Sequence, residues 1–112
     1  MERIILKIGK VVVNSEPIDL RQPVEFVGKR LARRCIRDNE EIRGYESLYR
    51  LEGGRYLIYV EEIEEDESYY RIRIAQPGDL DVGGRYELLA REAGVLTRPM
   101  TLDEALKTHW VV

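Results

Sequence analysis

Between Gly44 and Ala75 the chain reads GYESLYRLEGGRYLIYVEEIEEDESYYRIRIA, aromatic and β-branched residues broken by a glycine pair and then by a run of acids. A Gly-Gly pair between β-prone runs is a strong hairpin signal, because primed two-residue turns need positive φ at both central positions. Such a turn at Gly53-Gly54 pairs Leu51 with Tyr56, Tyr49 with Ile58 and Ser47 with Val60. Side chains alternate across a strand, so these six share a face. A five-residue loop, Glu64 to Ser68, then sets Val60 opposite Ile72 and Ile58 opposite Ile74. A four-residue loop would oppose those aliphatics with Arg71 and Arg73. A one-residue slip sends every side chain to the other face, so the apolar pattern favours the longer loop. The expected core face is Tyr49, Leu51, Tyr56, Ile58, Val60, Tyr70, Ile72 and Ile74.

The opposite face then carries Leu48, Arg50, Arg55, Leu57, Tyr59, Glu61, Tyr69, Arg71 and Arg73. In this register Glu61 lies across from Arg71 and Tyr59 from Arg73. One reading is a solvated face with cross-strand ion pairs and a cation–π contact. The other is a partner-binding surface of Arg50, Arg55, Tyr59, Tyr69, Arg71 and Arg73, since aromatics and arginines are enriched where partners dock. A helix laid on this face would account for Leu48 and Leu57. The second hairpin loop is strongly acidic, with Glu61, Glu62, Glu64, Glu65, Asp66 and Glu67 inside seven residues. Such a run guards a tip against aggregation. Its four loop members, Glu64, Glu65, Asp66 and Glu67, could instead engage a basic groove on a partner. The spacing lacks the alternating oxygen ligands and central glycine of a calcium loop.

On the N-terminal side, Arg3 to Ile8 reads as a strand that Gly9-Lys10 turns into a second run, Val11 to Val13, ended by Asn14-Ser15-Glu16-Pro17. From Pro23 to Ile36 the period changes. Val24, Val27, Gly28, Leu31, Ala32, Cys35 and Ile36 fall on one stripe of a helix, with proline in its first turn. Its other face would hold Lys29, Arg30, Arg33, Arg34 and Arg37, which either complement the helix dipole or contact phosphates of nucleic acid. On the C-terminal side, Tyr86, Leu89, Ala90 and Ala93 repeat at helical spacing before a Gly94 cap. GGRY occurs at Gly53 and again at Gly83, with unmatched flanks, and reads as an echo of turn chemistry. After Pro99, Thr101 and Glu104 form a capping box for a short helix, Leu102 to Lys107. His109-Trp110-Val111-Val112 then reads as a closing strand or a docked tail.

The chain of 112 residues is long enough for one domain with a core that needs no disulfide or metal. Its 44% hydrophobic and 35% charged residues describe a folded chain. Arginine outnumbers lysine and amides are few, the balance of a heat-adapted protein. One cysteine and one histidine remove the usual zinc spacings. Neither a phosphate-binding glycine loop nor a nucleophile–base set is present, and the carboxylates of the acidic run lack the apolar burial that separates two pKa values. No cofactor, metal or catalytic residue is expected, and so no enzyme. The N-terminal apolar run is too short for a signal peptide and no stretch reaches membrane-spanning length, so the expectation is a cytoplasmic protein without a membrane partner.

Leu48-Tyr49-Arg50, then Gly54, Tyr56, Leu57 and Tyr59, resembles a hairpin pattern of small uncharacterised bacterial proteins linked to mobile elements. TLDEAL, Thr101 to Leu106, resembles the short helix that closes them. The resemblance implies a small accessory protein that acts by binding, the broad class that includes phage-encoded inhibitors of host defence such as anti-CRISPR-like proteins. The expected fold class is α+β: an antiparallel meander of three strands plus the N-terminal hairpin, packed with two to three helices over residues 1–112. Its expected function is protein–protein binding, the alternative a nucleic-acid-binding domain using the basic helix, and a homodimer is a third outcome.

Overall fold

A computed structural model describes residues 1–13, 16–96 and 101–108. It is built mostly of antiparallel sheet: β1 Glu2–Val12, β2 Ile18–Asp19, β3 Gln22–Asp38, β4 Glu41–Leu51, β5 Tyr56–Ile63 and β6 Glu67–Ile74. Two seven-residue helices follow, α1 Glu87–Ala93 and α2 Leu102–Thr108. The expected α+β balance is therefore overturned, because the largest predicted helix is a strand. Among the described residues no helix is long and apolar enough to cross a membrane.

Neighbouring strands pair in the order β1, β3, β4, β5, β6, and Gly9 to Val12 of β1 pair again with Tyr70 to Glu67 of β6. The ring so formed closes at the acidic-turn end and splays at the other, where β1 pairs only with β3, from Glu2–Gly28 to Ile8–Gln22. No hairpin forms at Gly9-Lys10. There β1 continues, with Gly9 at φ 128°, a value glycine reaches without a Cβ clash. The N-terminal hairpin is made instead with β2 and the first half of β3.

β3 is the main correction. Its first half pairs with β1 and its second half, Gly28 to Asp38, with β4. The register shifts between Arg30 and Ala32, where Leu31 is an extra residue. A bulge of this kind resets the alternation. Val24 and Gly28 before it, and Leu31, Ala32, Cys35 and Ile36 after it, therefore mimic helical spacing, while Val27 of the expected stripe is exposed. Two flanking strands that need a hydrogen-bonding partner decide the outcome, and periodicity is overridden. The turn Asn39-Glu40, both at positive φ, then reverses the chain into β4.

The meander forms, in another register. The first turn has three residues, Glu52 to Gly54, and Leu51 donates to the Arg55 carbonyl while Gly54 donates to Leu51. Leu48 thus faces Ile58 and Tyr49 faces Leu57. The second loop is the shorter one, so Val60 faces Arg71, Ile58 faces Arg73 and Tyr59 faces Ile72. The two slips cancel between β4 and β6 and strand β5 alone is inverted. Of the expected core face, Tyr49, Leu51, Tyr70, Ile72 and Ile74 do share a side, and Tyr56, Ile58 and Val60 lie on the other.

Two apolar clusters result. Inside the ring, Tyr49, Leu51, Leu57 and Tyr59 pack with Ile4, Leu6, Ile8, Phe26, Tyr70, Ile72 and Ile74. Outside it, Leu48 and Ile58 are covered by Leu80, Tyr86, Leu89 and Ala90 of α1 and its lead-in. Gly94 caps α1 in the left-handed conformation, with φ 70°. α2 forms as the capping motif predicts, but the Glu104 side chain, Pro99 and the stretch from His109 to Val112 lie outside the described residues.

Candidate functional site

α1 packs over β3 and β4 and leaves the outer faces of β5 and β6 only partly covered. Beside the helix a groove of about 380 Å³ opens, with Ile36, Val60 and Tyr86 as apolar lining and Glu46, Glu62, Arg71, Arg73 and Arg85 as charged walls. The β5 inversion builds it: Val60 and Glu62 face outward together with Arg71 and Arg73 of β6. Arg71 binds Glu62 at 2.9 Å and is well exposed. Arg73 binds Asp79 at 2.9 Å and lies 5.6 Å from the centre of the Tyr86 ring. Asp79 also accepts from the Gln76 amide, which fixes the loop that leads to α1. Glu46, only 9% exposed, is neutralised by Arg34 at 2.8 Å. Arg85 rests 5.3 Å from the Tyr86 ring, and among the described residues no carboxylate lies within ion-pair distance of it.

Gly84 makes the approach to the groove. A Cβ there would run into the Gly78 carbonyl oxygen and lie 2.6 Å from that of Asp79. The second GGRY is thus structural: its glycine lets the loop close and its tyrosine, 4% exposed, sits under the loop as part of the outer core.

The expected partner-binding residues do not form one surface. Tyr59 points inward, is 7% exposed and donates its hydroxyl to the Lys7 carbonyl at 2.6 Å. Burial pushes its pKa up to about 12. Arg50 and Arg55 lie at the splayed end, where Arg50 donates to the Tyr56 hydroxyl at 3.1 Å. Tyr69, Arg71 and Arg73 share the outer face of β6. Glu61 turns to Arg33 at 3.5 Å, and neither it nor Tyr59 has the cross-strand partner the sequence suggested. In the acidic loop, Glu67 meets Lys10 at 3.9 Å and accepts from the Tyr69 hydroxyl, a bond that raises the Tyr69 pKa. The Asp66 carbonyl accepts from Val13 at 2.6 Å, which ties the loop to β1. Glu64, Glu65 and Asp66 stand exposed at its tip.

No basic helix exists. The bulge at Leu31 scatters Lys29, Arg30, Arg33, Arg34 and Arg37 over two faces of one strand. Arg33 is held between Glu61 and the Tyr45 ring, 4.0 Å from its centre, and Arg34 by Glu46. Lys29, Arg30 and Arg37 are exposed and make no ion pair among the described residues. Cys35 is half-buried on β3, and among the described residues no three His, Cys, Asp or Glu side chains are placed to hold a metal.

Of the groove's lining, reasoning from the sequence names Arg71 and Arg73 as partner-binding candidates and does not name Glu46, Arg85, Tyr86 or Ile36 as such. The run YLIYV was the available signal: five consecutive apolar residues point to a strand buried on both faces, and so to a second apolar surface needing a cover. No protein-family model, curated protein or solved structure matches this chain.

Proposed function

We propose that the protein is a small cytoplasmic binding module, without catalytic chemistry of its own, that docks a partner protein at the outer groove. The hairpin resemblance fits an accessory or inhibitor protein of that kind. Arg85 carries the reading: an arginine stacked on a tyrosine, beside an apolar floor, with no carboxylate of its own among the described residues. A guanidinium so placed can take a partner's carboxylate in a bidentate fork, while the floor accepts the neighbouring apolar side chain. Arg71, whose bond to Glu62 is solvent-exposed, can exchange that partner at little cost. Arg73 and Arg34 are committed to Asp79 and Glu46 and hold the walls in place.

Nucleic acid fits less well, because the run of cations is divided by the bulge and two of its five members are neutralised. The test is affinity capture from extract of the native cell, with wild type, an Arg71→Glu/Arg85→Glu double variant and a Lys107→Glu control. A partner protein held by wild type and control but lost from the double variant is expected, since truncating a central arginine anchor typically costs about 2 kcal/mol or more. Equal retention by all three overturns the reading. Solution mass measured alongside shows whether the captured partner is a second copy.

A further inference from the structure

Among the described residues the second half of β3 is paired with a strand on one side only. β1 leaves it at Gly28, and from Lys29 to Asp38 its paired strand is β4. α1 packs against it and draws Leu31 and Ala32 into the outer cluster. Among the described residues no backbone hydrogen bond from another segment reaches that edge. A second register shift falls between Ile36 and Arg37, so the regular strand along β4 is the stretch from Ala32 to Ile36. In an antiparallel ladder alternate residues turn N–H and C=O away from the partner, and an open edge presents them as a row ready to pair.

The edge of β1 facing β6 is paired at its C-terminal half, and Tyr59 satisfies Lys7 in the other. The β3 edge has cations instead. Among the described residues Lys29, Arg30 and Arg37 flank the regular stretch without an ion pair, and the one acid of the segment, Asp38, lies 3.8 Å from Arg43. Charge alone could serve to repel other strands. It repels cationic or like copies, however, and favours an acidic one.

We infer that the β3 edge from Ala32 to Ile36, flanked by Arg30 and Arg37, is a strand-addition site for an extended acidic segment of a partner protein. Main-chain bonds supply the affinity and the flanking cations choose the charge. A phosphate backbone has no donors and acceptors at strand spacing to match the row. A second copy would bring Arg30 and Arg37 against like charges. This goes beyond the groove, which is built of side chains on the outer face, Ile36 of β3 among them, whereas the edge offers main chain.

The test uses the full chain, labelled for amide NMR. Free protein should show fast hydrogen exchange at alternate amides between Ala32 and Ile36. An octapeptide alternating glutamate and valine should then bind, shift those amides and slow their exchange. The same peptide N-methylated at alternate residues should lose binding, and its lysine counterpart should show none. An Arg30→Glu/Arg37→Glu variant, at exposed positions, should bind the glutamate peptide roughly tenfold or more weakly with unchanged folding. Slow exchange at these amides in the free protein would show the edge already covered, and overturns the inference. So does equal binding of the N-methylated peptide, which would mean charge attraction without a ladder. Edge shifts produced by a mixed-sequence oligonucleotide but by no peptide would assign the cations to nucleic acid and overturn it as well. Charge reversal at Arg71 and Arg85 should leave the peptide titration unmoved, which separates this site from the groove.

Discussion

The two faces of β5 are buried by different means. Inward, Leu57 and Tyr59 meet the ring's own strands and retain 6% and 7% exposure. Outward, Ile58 meets Leu48 and Leu89, and all three are fully buried. The deepest packing therefore lies outside the ring, beneath a helix of seven residues. A ring that splays at one end cannot exclude water from its interior as well as a lid pressed on aliphatic side chains can. α1 is thus part of what stabilises the sheet, and the gap beside it is the groove.

The largest expected effect follows from that contrast. Leu89→Ala should cost about 2–5 kcal/mol, near the top of the range for a leucine with no room to relax, and Leu57→Ala should fall near the bottom. Urea denaturation of both variants measures the difference. Equal losses, or the reverse order, would break the distinction between the faces.

A smaller effect tests the inner face. Tyr59→Phe removes the bond to Lys7 and leaves a strand-edge carbonyl without its donor, worth about 1 kcal/mol near neutral pH. The deficit depends on pH. Burial first, and Glu61 second, push the Tyr59 pKa up to about 12, above the value of about 10 for an unfolded tyrosine. A raised tyrosine pKa means the folded state holds its proton longer, so this stability is complete below pH 10 and lost as pH rises through 12. Phenylalanine has no such loss, so the gap between wild type and variant should narrow and then invert above pH 10. Tyr49, also raised by burial, gives a common background that the comparison subtracts. Urea midpoints from pH 8 to 12 that run parallel would place the Tyr59 hydroxyl in solvent.

How much of this was legible follows from where the constraints reside. Local chemistry wrote α1 and its Gly94 cap, the Thr101 helix start and the three strands of the meander, and all are read from adjacent residues. Register was not legible to one residue, because Gly53-Gly54 supports a two-residue turn or the three-residue turn found, and only the packing of α1 on Leu48 and Ile58 chooses. β3 was not legible at all as a strand: its bulge imitates a helix, and its partners β1 and β4 are set by the whole sheet. The groove inherits both difficulties, since Val60 and Glu62 enter it by the slip and Ile36 by the bulge. Arg71 and Arg73 were found because β6 faces the same way under either register relative to β4.

The last contrast is between charges that the fold compensates and those it does not. Arg33, Arg34, Arg71 and Arg73 each have a carboxylate, whereas Lys29 stands directly across the strands from Arg50 with none among the described residues. Like charges facing each other on one side of a sheet destabilise it, and an opposite pair there contributes about 0.2–1 kcal/mol. Lys29→Glu should therefore stabilise the protein by a few tenths to about 1 kcal/mol, with the gain shrinking as salt screens the new pair. The same variant lowers the positive charge beside the β3 edge, so it should weaken the glutamate peptide while the fold gains. Opposite signs for stability and binding would show that Lys29 is retained at the expense of the fold for what it attracts. A loss of stability would mean that the surroundings of Lys29 already favour a cation, and the division between compensated and uncompensated charge would fail at its clearest point.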